Sequence, residues 1–335
     1  MDINTLYNNC NTSLKSNDTL LYIMNHSFYL MIISFNYDNT INLYADEWLY
    51  LIKYNYPFSV YYNNYINKAN ELISKKLLLP KIYIKEDVLQ LFTTFSRGSI
   101  HGFSGFYNNI IYYLNNYENL QHLKIIMYKN CQQGILDLLN YFCEKKLINS
   151  DNIIYVENDQ LYCFNSITYI PNKYHVFNSE FIPIVDNFIN KYLLLDFYNN
   201  QVFNKNINTI ILKTENTTNL SDNLIIKSSD VQEFAIKWNF NYVNNINEIS
   251  MINTIYNSEI LILNYGSCFF KNFVYISEIC KKIIIIINTD IYINDYNHLS
   301  SITTNEFQGL ILKKYKNAEI KYLIRDNLDF DPYTM

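Results

Sequence analysis

The chain has 335 residues, a formal net charge of −5, 49% hydrophobic residues and 17% charged ones. That length holds two ordinary domains, and that balance belongs to globular proteins and not to disordered ones. A negative chain with only two arginines, Arg97 and Arg325, lacks the basic footprint of nonspecific nucleic-acid or anionic-membrane binding.

The most apolar run, Leu20 to Phe35, is interrupted by Asn25, His26 and Ser27 and has neither a basic leader nor a small-residue cleavage site. A soluble, cytoplasmic protein without a membrane span is therefore expected. The six cysteines (Cys10, Cys131, Cys143, Cys163, Cys268, Cys280) form no C-x-x-C pair, so buried reduced thiols are expected and no metal. Residue usage is skewed: 33 Tyr and 21 Phe stand against 6 Gly and 5 Pro. This is the signature of an A/T-rich genome, as in a giant virus, a protist or a low-G/C bacterium. Under that bias each surviving glycine or arginine carries more weight.

In the first 80 residues, Phe28 to Phe35 and Ile41 to Tyr44 read as a hairpin around Asp38-Asn39, and Tyr61 to Lys76 as a helix before Pro80. Val88 to Phe95 is strand-like. It leads into Arg97-Gly98-Ser99-Ile100-His101-Gly102-Phe103-Ser104-Gly105, which holds three of the six glycines and is expected to be a loop whose backbone closely approaches a ligand or a facing domain. Arg97, Gly102 and Gly105 are its candidate ligand-facing residues. Histidine is the side chain able to titrate near neutral pH, which makes His101 the candidate general base, although a lone histidine is usually a packed or surface residue.

From Leu123 strands and helices alternate. Strands are expected at Leu123 to Tyr128, Ile153 to Val156, Tyr162 to Phe164 and Ile167 to Ile170, with helices at Gln132 to Glu144 and Ser179 to Leu194. Leu136, Leu139 and Tyr141 are expected to point inward. This alternation predicts a doubly wound α/β sheet. The polar stretch Tyr198 to Asn208 reads as a linker, giving an N-terminal domain over 1–197 and a C-terminal one over 198–335.

The second alternation runs through a strand at Thr209 to Lys213, a short strand at Leu224 to Ile226, and a helix at Asp230 to Trp238 capped by Ser229. An edge strand at Tyr242-Val243 and a helix at Ile249 to Tyr256 follow. Then comes NSEILILNYGSCFFKNFVYISEICKKIIIIIN, read as a βαβ unit: a strand at Glu259 to Leu263, a helix from Cys268 to Lys282 capped by Ser267, and a strand at Ile283 to Ile287. Lys281 and Lys282 would sit at the negative end of that helix dipole. The turn Asn264-Tyr265-Gly266-Ser267 would aim backbone N–H groups at an anion, most simply a phosphate, and Lys213-Thr214 ends a strand where open α/β sheets bind ligands. A plain structural turn and a solvated lysine are the alternatives.

Residues 85 to 290 resemble glycosyltransferase family 61. NSEILILNYGSCFFKN is similar to the family's Asn-Ala, aliphatic strand, His-Gly-Ala and downstream Asn, with Gly266, Ser267 and Asn272 on the Gly, the Ala and that Asn. His101 to Tyr107 resembles an early glycine- and histidine-bearing segment, and Lys213 falls on a usual arginine. Tyr265 and Phe106 stand where the family has histidines, and Ser250-Met251 where it has Glu-Gln. The resemblance implies a GT-B arrangement, with two Rossmann-like domains of mostly parallel sheets facing across a cleft. The C-terminal domain would take a nucleotide sugar, and the N-terminal domain a glycan or glycoprotein acceptor. Transfer would invert the anomeric centre and need no metal or other cofactor. Lys213, Thr214, Tyr265, Gly266, Ser267, Lys271 and Asn272 would hold the donor, and His101 would act as base. A member that kept the fold and lost the chemistry, serving as a scaffold or glycan-binding protein, is the alternative.

Overall fold

In a computed structural model, residues 14–26, 29–36, 41–43, 67, 71, 74, 81–93, 99–117, 119–169, 181–193, 207–212, 226–244, 247–265, 272–287, 318–325 and 327–335 are described. The chain divides into two compact units, Met1–Asn178 and Ser179–Met335. Both are α/β, each built on one sheet.

The N-terminal unit opens with β1 (Leu14–His26), β2 (Tyr29–Asn36) and β3 (Ile41–Leu43), an antiparallel meander in which Phe35 faces Ile41 and His26 faces Tyr29. β4 (Lys81–Gln90) begins earlier than the apolar run Val88 to Phe95 suggests, and it ends at Gln90. α1 (Ser99–Asn116) follows, then β5 (Lys124–Tyr128), α2 (Gln133–Glu144), β6 (Ile153–Val156) and β7 (Leu161–Tyr169). The expected pair of strands at Tyr162 to Phe164 and Ile167 to Ile170 is one strand, since β7 is held on both sides by ladders to β1 and β4. Across the sheet the order is β3-β2-β1-β7-β4-β5-β6. Four strands, β7, β4, β5 and β6, are mutually parallel, while β1 pairs antiparallel with β7. This sheet is thus half parallel block and half meander. Ile135, Leu138, Leu139, Tyr141 and Phe142 form the buried stripe of α2, and Leu136 is only half-buried at its margin.

The C-terminal unit begins with α3 (Phe181–Tyr192). β8 (Ile207–Ile211), α4 (Ser228–Trp238), β9 (Phe240–Tyr242), α5 (Glu248–Tyr256), β10 (Ser258–Asn264), β11 (Lys282–Ile287) and β12 (Glu319–Ile324) follow. Every strand pair is parallel, and the order is β9-β8-β10-β11-β12. In chain order this reads 2-1-3-4-5, the doubly wound pattern in which the winding reverses between the first and third strands. One sheet face, carrying Ile210, Ile262, Ile284 and Ile286, is covered by Val231, Phe234 and Ala235 of α4. The opposite face carries Thr209, whose hydroxyl accepts a 2.6 Å bond from Ser258 Oγ. Ser258 Oγ also lies 2.7 Å from the Thr254 carbonyl of α5, which fixes α5 on that side. The strands are aliphatic on both faces because helices cover both.

Three local expectations change here. α4 starts at Ser228 with Lys227 at its N-cap, not with Ser229. Ile226 is outside any strand. Only Asn272 and a single 3-10 turn, Phe273–Tyr275, are helical in the described part of Cys268 to Lys282, and Ile276 is extended at ψ 129°. Phe273, Val274, Tyr275, Ile276 and Ser277 are all buried, so this segment has no polar face to present as a surface helix. Ser277 Oγ bonds the Tyr256 carbonyl at 2.5 Å, and Lys281 N–H bonds the Glu259 carbonyl at 2.7 Å, returning the chain to the sheet. The two lysines therefore do not end a helix. Lys281 pairs with Glu259 at 2.9 Å, and Lys282 opens β11.

Candidate functional site

The reversal of winding lies between β8 and β10, and in open parallel sheets ligands bind at the carboxyl ends of the strands flanking such a point. The β8–β10 ladder ends at the pair Ile211 and Leu263, so Leu212 and Asn264 stand next in line on the two strands, Asn264 still paired with Ile286 of β11. Lys213-Thr214 follows directly on the first, and Tyr265-Gly266-Ser267 on the second. Two segments 50 residues apart, each singled out for anion binding, thus issue from neighbouring strand ends. Lys213, Thr214, Gly266, Ser267 and Lys271 lie outside the described residues. Tyr265 is described: its N–H donates to the Ile286 carbonyl at 2.8 Å, extending the β10–β11 ladder by one bond, and its side chain is half-buried. Asn272 is buried just before the 3-10 turn.

In the N-terminal unit the glycine-rich segment is not a loop within the described residues. Gly102 and Gly105 lie inside α1 and are buried, and Arg97 lies outside the described residues. Gly105 is needed for close packing: a Cβ on it would strike Thr93 Cγ2 and lie 2.8 Å from Thr93 Oγ1 and 3.0 Å from Thr93 Cβ. His101 is the third residue of α1, one turn before this contact, so its backbone lies towards the carboxyl end of β4. Phe106 is 1% exposed and stacks on Phe142 at 6.3 Å. It is a core residue bridging α1 and α2.

A seam that the sequence reading did not single out joins α1 to the same strand ends. Tyr113 Oη donates towards the Gln90 carbonyl at 2.7 Å and lies 3.0 Å from the Thr168 carbonyl. Asn109 Nδ2 reaches the Leu91 carbonyl at 3.4 Å, and Gln90 Nε2 donates to the Phe92 carbonyl at 3.0 Å. These side chains satisfy carbonyls that β4 and β7 leave open as they diverge. Asn108-Asn109 within a helix interior was the available signal, because asparagine there is unfavourable without a tertiary partner.

Among the described residues no group of three His, Cys, Asp or Glu side chains could hold a metal ion, and no helix is long and apolar enough to cross a membrane. Cys280, in the connection between β10 and β11, has its thiol pushed up to about 12, chiefly by burial. It stays protonated at neutral pH and is a poor nucleophile. In native protein at pH 8, Cys280 should resist iodoacetamide, and denaturant should release it; mass mapping of the peptide checks this. Native labelling within minutes would contradict the burial. Because the unfolded thiol ionises near 9.0, its contribution to stability is full below that pH and is lost as pH rises towards about 12.

No family model matches the chain, and no curated protein matches it in sequence.

Proposed function

We propose that this chain is a glycosyltransferase that moves a sugar from a nucleotide-sugar donor to a glycan or glycoprotein acceptor, inverting the anomeric centre without a metal. In this reading it is a divergent relative of family 61 with a GT-B arrangement. The observation that carries it is the β8–β10 reversal of winding, from which Lys213-Thr214 and Tyr265-Gly266-Ser267 both issue. Peptide N–H groups around Gly266 and Ser267, with the Lys213 and Lys271 ammonium groups, would stabilise the diphosphate as it leaves. His101 in the N-terminal unit would take the acceptor hydroxyl proton. The anion site needs no long helix behind Ser267, because successive backbone N–H groups in a turn can hold an anion without one.

A second reading, a scaffold or glycan-binding protein of the same fold, draws on Phe106. A core phenylalanine at the family's histidine position removes one candidate for proton transfer. A thermal-shift panel of nucleotide sugars, run with and without EDTA, tests the first reading. One nucleotide series at a hundred times its Kd should stabilise the protein by about 2.7 kcal/mol, with no effect of EDTA. Gly266→Asp, which places a carboxylate beside the diphosphate, should abolish that shift and leave the ligand-free melting point unchanged. A shift that survives Gly266→Asp would place the donor elsewhere, and silence across the whole panel would favour the scaffold.

A further inference from the structure

Residues 327–335 form no regular secondary structure, yet they close the α4 face of the C-terminal sheet. Phe330 is 9% exposed and packs on Phe234 with ring centroids 5.1 Å apart, and Leu328 and Met335 pack against the same core. The Arg325 guanidinium, just beyond the carboxyl end of β12, lies 5.6 Å over the Phe330 ring and donates to the Asp329 carbonyl. Tyr333 lies edge-on to Trp238, with its Oη 2.8 Å from the Trp238 carbonyl and 3.0 Å from Asn208 Nδ2. The far end is held by one cation. Lys282 Nζ donates to the Pro332, Tyr333 and Met335 main-chain oxygens at 3.4, 3.3 and 2.5 Å, with Glu319 Oε2 at 3.5 Å, and its side chain is 13% exposed.

We propose that residues 327–335 are a separable strap, fastened by the Lys282 ammonium, that opens and closes over the Phe234 core without unfolding the sheet beneath. A segment docked by side-chain insertion and charge-assisted bonds, with no strand ladder of its own, is the kind of element that opens below the global unfolding energy. The strap runs from the carboxyl end of β12 to the amino end of the neighbouring β11, so fastening it ties one end of the sheet to the other across α4. Opening it would bare the rings of Phe234, Trp238 and Phe240.

Native-state hydrogen exchange on the full chain and on Lys282→Met tests this. The variant keeps the aliphatic stem and removes the donor. The expected result is exchange at least tenfold faster at the Phe330 and Tyr333 amides, with the β10 and β11 amides unchanged. Phe330→Ala should give the same local pattern. Unchanged protection of 327–335 in Lys282→Met would overturn the role of the ammonium. Simultaneous loss of protection in the strap and in β10 and β11 would overturn its separability.

Discussion

Phe234→Ala should lower the stability of the C-terminal unit by about 3–5 kcal/mol, the range for truncating a phenylalanine in a packed core. Phe234 is 4% exposed, and its ring meets Phe330 at 5.1 Å, Phe240 at 5.9 Å and Trp238 at 6.4 Å. It is where α4, β9 and the strap converge, and none of the three can collapse into the space alone. α4 is anchored below by Val231 and Ala235, β9 is fixed by its ladder to β8, and the strap is tethered at Lys282. A cavity that cannot relax forfeits both transfer energy and dispersion contacts. Phe234→Leu keeps most of the volume and should lose less than half as much. Urea unfolding followed by Trp fluorescence measures both, because Trp238 lies in this cluster. A loss below about 1 kcal/mol for the alanine variant would mean that the aromatic junction is not a packed core.

Elements of both units show where the sequence was readable. β11 and β5 are short aliphatic runs whose residues are buried nearly throughout, and a run without period between polar flanks has few other places to go. The α2 stripe followed from a 3.6-residue period, with only Leu136 misplaced at its margin. Failures arose where burial is not one-sided. Phe269 to Ile279 holds apolar residues at helical spacing, but Phe273 to Ser277 is buried all round, and side-chain identity alone does not separate that from one amphipathic face. β1 escaped notice because Lys15, Ser16, Asn17 and Asp18 carry low strand propensity. Pairing with β2 on one side and β7 on the other outweighs that.

The candidate site was legible only in part, and for a physical reason. Strand ends announce themselves through the aliphatic runs that precede them, and that is the signal that marked Lys213-Thr214 and Tyr265-Gly266 as candidates. What sets β8 and β10 side by side is strand order, and no local pattern encodes that β10 pairs with β8 and not with β9. The scarcity of glycine drew attention to Gly105, and the structure agrees that the position matters. The reason differs, since a helix–strand approach and not a loop requires it.

That difference fixes the sign of the last expected result. If Gly105 were only a residue in a helix, alanine would stabilise the protein by up to about 1 kcal/mol through helix propensity. The packing predicts the reverse. Thr93 is 1% exposed and its Cγ2, Oγ1 and Cβ all crowd the added methyl, so rotating the threonine side chain cannot make room. Either α1 lifts from the strand end, stretching the Tyr113 and Asn109 bonds to the Gln90 and Leu91 carbonyls, or the methyl is accommodated under strain. Gly105→Ala should therefore destabilise by about 1–3 kcal/mol, the usual range for overpacking, even after the propensity gain. Thr93→Ala removes two of the three colliding atoms, so the double variant should recover much of that loss. A double-mutant cycle should then show a coupling of about 1 kcal/mol or more, well beyond the additivity of independent sites. If Gly105→Ala instead raises the melting temperature, or the two substitutions simply add, α1 does not rest on Thr93 as the structure has it.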